Sequence, residues 1–266
     1  MVSLELFGPN ACGVYYETKN GQIISDLDDS EISNFLGFEN GYGLPQLNSI
    51  SCYLKTNDIL YVLGAHIGTM LVPLSKKCKY VYGFEPNPIS FNLLMANMKL
   101  NNINNATIFK KGTFYKDTTL SFLQNKANSG ASKIKPRISS YIYNYDNPNN
   151  IKVEVVNLDK HISNNNLKFP DFLIIDVEGA EYFSLLGAKE SLKHCRVLFI
   201  EFTPHHLRNV ANVKLENFTK LILTYFNNMQ LLGEDNYYRK GEIQDVLNNL
   251  FENNISNDLI FFKNIE

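Results

Sequence analysis

Short runs that are apolar at nearly every position are what most restricts the fold of this chain. DILYVL at 58–63 and RVLFIEF at 196–202 are two of them, and FPDFLIIDVEGAEYFSLLGAKESL at 169–192 reads as a third such strand followed by a turn and a helix. A strand with one wet face alternates polar and apolar residues, so a run without alternation needs cover on both faces. Segments of helix length separate the runs. In NPISFNLLMANMKLNN at 87–102, Ile89, Leu93, Leu94 and Met98 fall at helical spacing behind a capping Asn87 and a first-turn Pro88. Further strands are expected at KYVYGF (79–84), ATIFKK (106–111), near QLLG (230–233) and at DLIFFK (258–263), and an amphipathic helix at VKLENFTKLILTYFNNM. Strand and helix in alternation predict a doubly wound α/β fold with a mostly parallel sheet.

With 266 residues, 44% of them hydrophobic, the chain can bury one large core or two small ones. No composition shift marks a linker. We therefore expect one domain at 54–266 and a small N-terminal appendage at 1–53. In the appendage, GVYYETKNGQIIS sets two β-rich runs around Asn20-Gly21, a favoured pair for a tight hairpin turn. The polar stretch 125–150 interrupts the alternation as a long loop of the kind that often forms a lid. Its Lys126, Lys133, Lys135 and Arg137 read as a solvated basic loop rather than a phosphate site.

A net charge of −2, a pI near 6.2 and the lack of a long basic run leave no strong nucleic-acid signature. The four cysteines, Cys12, Cys52, Cys78 and Cys195, show neither metal-like spacing nor the density of a secreted scaffold. They read as reduced thiols of a cytoplasmic protein. MVSLELFGPNACG lacks a basic n-region and is broken by Glu5, Gly8 and Pro9, so it is not expected to be a signal peptide. No stretch approaches the roughly 20 apolar residues of a membrane span. The recurring asparagine doublets receive no role, and oligomeric state is not legible.

Three clusters carry chemistry. Gly64 and Gly68 bracket a turn after the first apolar run, in a G-x-x-x-G spacing that on its own marks only a tight strand-to-helix turn. Glu85 ends the next strand in GFEP, 21 positions after Gly64, with Pro86 behind it. An acid about 20 residues past such a turn accepts hydrogen bonds from ribose hydroxyls, and we read Glu85 so in preference to an exposed loop carboxylate. In IIDVEGAE, Asp176 and Glu178 extend from a buried strand onto the same face, whereas Glu181 suits the positive end of a helix. Glu201 ends another buried strand ahead of His205 and His206. Of that pair His205 is the candidate proton acceptor, against the plainer reading of two solvent-facing rings.

LGAHIGT, YGFEPNPISFNLLMANMKLNN, VNLDKHI, PDFLIIDVEGAEYFSLLGAKESL, LFIEF and LIFFK together resemble the FkbM family of S-adenosylmethionine-dependent methyltransferases, in order and at suitable spacing from about 54 to 263. FEPNP and IDVEGAE are the specific parts. The resemblance implies the Rossmann-like methyltransferase sheet of seven strands, the last antiparallel, and methyl transfer to an oxygen of a sugar or small metabolite. It implies that Gly64, Ala65, His66 and Gly68 hold the methionine part of S-adenosylmethionine, that Glu85 with Pro86 takes the ribose, and that Asp176 to Glu181 face the methyl group. Asp176 then serves both cofactor and chemistry.

One position departs from the family. Its turn reads D-V-G-A-N-I-G, so Val62 stands in place of the aspartate and His66 in place of the asparagine. A charge-assisted hydrogen bond to the methionyl ammonium, worth about 1.5–3 kcal/mol, is thereby missing. Pro73 falls inside the following helix and should kink or shorten it. An alcohol acceptor profits from a base, for which Asp176 ranks first, Glu178 second and His205 third. This scheme needs no metal, although Asp176, Glu178 and Glu201 can form an oxygen-rich magnesium site as a lesser reading. Two alternatives differ in kind: a catalytically weak or silent cofactor-binding protein of the same fold, and a nicotinamide-dependent Rossmann enzyme, which the missing G-x-G-x-x-G disfavours. The expected partner is a small-molecule or glycan acceptor.

Overall fold

The structure, a computed structural model, describes residues 10–264; expectations for residues 1–9, including the signal-peptide reading, lie outside the described residues. Strands β1 (Val14–Thr18) and β2 (Gly21–Ser25) pair antiparallel around Asn20. Strands β3 (Ile59–Leu63), β4 (Tyr80–Phe84) and β5 (Ala106–Phe109) form one side of the main sheet. A second, four-stranded sheet follows from β6 (Gly112–Thr113), β7 (Thr118–Gln124), β8 (Lys133–Ile134) and β9 (Asn149–Val156). The main sheet is completed by β10 (Phe172–Ile175), β11 (Val197–Phe202), β12 (Asn228–Leu231), β13 (Tyr237–Arg239) and β14 (Asn257–Phe262).

Its order is β13-β12-β14-β11-β10-β3-β4-β5. From β11 to β5 all neighbours are parallel, while β14 runs antiparallel to both β11 and β12. The sheet thus has eight strands where seven were expected; the addition is the three-residue β13, paired with β12 at the edge. Such a short, half-exposed strand has no apolar run to announce it.

The apolar runs are covered on both faces, as their composition requires. Tyr61 and Leu63 of β3 pack with Leu173, Ile175 and Ile200 on one side, and Leu60 and Val62 with Leu71, Leu94 and Ile174 on the other. The helix holding Pro73 is short, Leu71–Ser75, in keeping with a ring that cannot continue a regular helix. None of the helices among the described residues is long and apolar enough to cross a membrane.

Residues 125–150 are more ordered than a polar loop. They contain the 3₁₀ turns Ser129–Ala131 and Tyr141–Tyr143, with β8 between them hydrogen-bonded to β7. The asparagines also have work. Asn97 on the helix Pro88–Leu100 and Asn101 at its C-cap, one turn apart, meet the free edge of β2. Ile24 N–H donates to Asn97 Oδ1 (2.7 Å) and Gln22 N–H to Asn101 Oδ1 (3.0 Å), while the two amide groups donate back to the Ile24 and Gln22 carbonyls. Each primary amide acts as a peptide group would. Two side chains therefore satisfy an edge that would otherwise be open to pairing, and they dock the hairpin onto the helix that follows Glu85.

Candidate functional site

The carboxyl ends of β3, β4, β10 and β11 come together at the site. After Leu63 the chain turns through Gly64 at φ +86°, and an added Cβ there would lie 1.7 Å from the carbonyl oxygen of Asp176. Only glycine allows both the left-handed backbone and this approach. The N–H groups of Gly64 and Ala65 donate to Phe84 O (2.9 Å each) and that of Asp176 to Leu63 O (3.0 Å), so three strand ends are clamped together. His66 takes φ +49°, a left-handed value that asparagine and histidine adopt more readily than most residues. Gly68 packs against Leu94 and shapes the turn rather than lining its cavity.

Glu85 is 6% exposed. One carboxylate oxygen accepts from His66 N–H (2.8 Å) and the other from Asn87 N–H (2.8 Å). Burial pushes its pKa up to about 7, against the opposing effect of those two bonds. Each oxygen keeps a lone pair, and Glu85 lines a cavity together with Gly64, Ala65, His66, Pro86 and Asp176.

His66 also leads to residues that sequence reasoning passed over. Its Nε2 is 2.6 Å from Ser129 Oγ, and Ser129 gives its hydroxyl proton and its N–H to Asp29 Oδ2. Asp29 in turn caps the helix Ser30–Phe38 through Ile32 N–H (3.0 Å). Because the serine proton is committed to Asp29, Nε2 of His66 is the donor and Nδ1 keeps the free lone pair. Burial lowers the His66 pKa to about 4, so the ring is neutral at pH 7. The glycine turn, the 125–150 segment and the N-terminal helices are thus joined through three side chains far apart in sequence.

Beyond the turn, the acids gather. Asp176, Glu178, Glu201 and Asp258 border a second cavity with Glu31 and Glu39, and no lysine or arginine is among the described residues lining it. Its volume of about 690 Å³ falls within the roughly 300–1,000 Å³ of small-ligand sites. Burial raises the pKa of Asp176 and of Glu201 well above the usual carboxylate range, and their mutual repulsion with Glu178 adds to it. Glu178 stands at φ +53°, rare for a residue with a Cβ. Glu181 holds that conformation, its Oε1 accepting from Val177 N–H (3.2 Å) and Gly179 N–H (3.0 Å). Its role is thus more specific than suiting a helix end.

Two basic groups face the acids. Lys133, read from sequence as solvated, is 4% exposed, with its ammonium 3.4 Å from Glu178 Oε2. His206 opens the π-helical turn His206–Ala211 and is 5% exposed. Its Nε2 lies 3.5 Å from Glu178 Oε2 and its Nδ1 3.8 Å from Glu201 Oε2. Burial, followed by Lys133 and His205, lowers its pKa and keeps the ring neutral. His205, the histidine chosen from sequence, is placed differently. It meets the Tyr143 hydroxyl at 3.0 Å on a third cavity, which Glu178 and Glu201 border but Asp176 does not. Val62 is 1% exposed in the apolar cluster beneath the turn and lines neither of the first two cavities.

The family model described as the methyltransferase FkbM domain matches residues 63–239. Over 85 residues the chain is 32% identical to a tRNA (guanine(37)-N(1))-methyltransferase of Xenopus tropicalis, a match covering 30% of this chain and 17% of that protein. Among solved structures it is similar to methyltransferase FkbM from Methylobacillus flagellatus KT, with a TM-score of 0.49, 17% identity, and coverage of 79% of this chain and 44% of that one. It is also similar to TYW2 of M. jannaschii, solved in complex with AdoMet, at a TM-score of 0.47 and 11% identity over 95% of this chain and 86% of that one. The chain spans less than half the length of the first two of these proteins.

Proposed function

The chain belongs to the FkbM methyltransferase family, and from that premise we propose that it transfers a methyl group from S-adenosylmethionine to a hydroxyl of a small acceptor such as a sugar. The observation that carries the cofactor assignment is Glu85, held by two backbone N–H groups at the rim of the glycine turn with a lone pair left on each oxygen. The residues fit the group. Glu85 suits the two ribose hydroxyls, and Gly64, at φ +86° against the Asp176 carbonyl, brings the strand ends close enough for Glu85 and Asp176 to line one cavity. In this reading residues 54–266 carry the cofactor, and the segment before 54 supplies acceptor-cavity wall through Glu31, Phe35 and Tyr42.

When bound, the cofactor would supply an activated methyl group to the acceptor oxygen. Asp176 takes the hydroxyl proton. The acid-lined cavity selects a neutral or cationic acceptor, because like charge at close range opposes a phosphate-rich one. That charge pattern favours a small hydroxylated acceptor over tRNA, the substrate class named for the Xenopus protein.

Calorimetric titration with S-adenosylhomocysteine tests the assignment, with NAD as the comparison. Glu85→Ala should weaken binding by about 2–3 kcal/mol, since the charged acceptor of both ribose hydroxyls is lost. An unchanged dissociation constant removes the ribose role. The pH dependence has a defined sign. Free Glu85, with its pKa near 7, holds its proton at pH 6, whereas ribose hydroxyls favour the carboxylate. Binding must then expel that proton, so affinity should fall about tenfold per pH unit below 7 and level off above it. A flat profile from pH 6 to 8 together with an unchanged affinity of Glu85→Ala would show that the ribose does not meet Glu85.

A further inference from the structure

We propose that Glu178, Glu201 and His206 form a divalent-cation site at the carboxyl ends of β10 and β11, open to the acceptor cavity. One carboxylate oxygen from each acid and one ring nitrogen of His206 lie within 4.8 Å of one another. Donors about 2.1 Å from one ion stand up to roughly 4.2 Å apart, so small side-chain rotations close the set. Two oxygen ligands and one imidazole suit a first-row cation of the Mn²⁺ kind.

The unpaired atoms point to a ligand independently of the acids. Glu201 Oε2 and His206 Nδ1 are both buried without a hydrogen-bond partner. They face each other at 3.8 Å, beyond hydrogen-bonding distance. Orphaned buried polar atoms are rare and each needs an explanation; a cation between these two satisfies both. The supporting geometry is also in place. Glu178 is held in a left-handed conformation by the two bonds to Glu181, and the π-helical turn directs His206 inward beside it. Among the described residues Lys133 pairs with Glu178, and Glu201 meets no lysine or arginine.

Glu178 and Glu201 border both the acid-lined cavity and the one behind it. An ion there would present its open positions to acceptor oxygens next to Asp176. Such an ion binds an acceptor hydroxyl and lowers its pKa, easing the proton's passage to Asp176. This role rests on the methyltransferase reading; the site itself does not.

The test is titration of the chelator-treated full chain with Mn²⁺, followed by electron paramagnetic resonance. One equivalent should bind, with a nitrogen coupling from the His206 ring in the pulsed spectrum. Glu201→Gln keeps the shape of the side chain and should raise the Mn²⁺ dissociation constant at least tenfold, since losing a residue that only supports a ligand already costs about 10–100-fold. Glu190→Gln, in an exposed pair with Lys193, should leave it unchanged. His206→Asn should abolish the nitrogen coupling; if that variant does not fold, the wild-type spectrum alone decides. Absence of stoichiometric binding up to about 1 mM, the weak end of biological cation sites, overturns the proposal. So does bound Mn²⁺ without nitrogen coupling, or with affinity indifferent to Glu201→Gln. Titrating the same preparation with S-adenosylhomocysteine separates the two readings: Mn²⁺ binding alone retires the cofactor reading of the glycine turn, and S-adenosylhomocysteine binding alone retires the ion.

Discussion

Asp176→Asn should lower turnover about 10²–10⁴-fold while changing S-adenosylhomocysteine affinity less than tenfold. The substitution is close to isosteric, and the Asp176 backbone is fixed by its N–H bond to Leu63 O and by its carbonyl against Gly64. Only the carboxylate is removed, in the wall that the turn cavity and the acid-lined cavity share through Tyr42, Met70, Asp176 and Glu178. Stability should move the other way. Burial, then Glu178, Asp258, Glu181 and Glu85, make the Asp176 charge unfavourable, so a neutral amide there should raise the melting temperature of the free protein. A more stable, slower variant is what a strained functional residue produces. Equal losses in affinity and turnover would make Asp176 a cofactor ligand and leave the proton to another group.

The parts of this molecule legible in sequence are those where burial imposes a local pattern. ILYVL, FLII and VLFI are apolar throughout because sheet strands covered on both faces have no wet side, and the structure places them next to one another. The second sheet leaves a weaker pattern in the sequence. β9 does alternate, with Lys152 and Glu154 outward and Val153 and Val155 inward, but its partner β7 lies across the whole 125–148 stretch. Lys133 carries the same difficulty into the site. A lysine among SKIKPR looks solvated until a glutamate 45 positions later is folded against it. What separates His206 from His205 is geometry with no sequence signature, namely where the π-helical turn begins. Asn97 and Asn101 left a faint trace, two amides at i and i+4, but nothing local announced the strand edge they meet.

Val62→Asp is the variant on which sequence and structure give opposite expectations. The family turn has an aspartate there, so restoring it would be expected to tighten cofactor binding by about 1–2 kcal/mol. In the structure Val62 lies between Ile174 and Gly83 of the neighbouring strands. Its side chain is in the apolar layer with Leu71, Leu74 and Leu94, beneath the turn rather than in its cavity. A carboxylate there has no cation to meet, and an uncompensated buried charge costs about 3–5 kcal/mol. Part of that cost is relieved by protonation, which fixes the pH dependence. The folded-state pKa of the new acid is raised above its unfolded value near 3.9. Below the unfolded pKa both states are protonated and the charge adds nothing; as pH rises toward the folded pKa the penalty grows, then levels off. The gap in melting temperature between wild type and variant should therefore be larger at pH 8 than at pH 5, and S-adenosylhomocysteine should shift both proteins by the same amount. A larger ligand-induced shift in the variant would mean that the new carboxylate reaches the methionyl ammonium. The turn would then have to move by enough to bring the end of β3 into the cavity when cofactor binds.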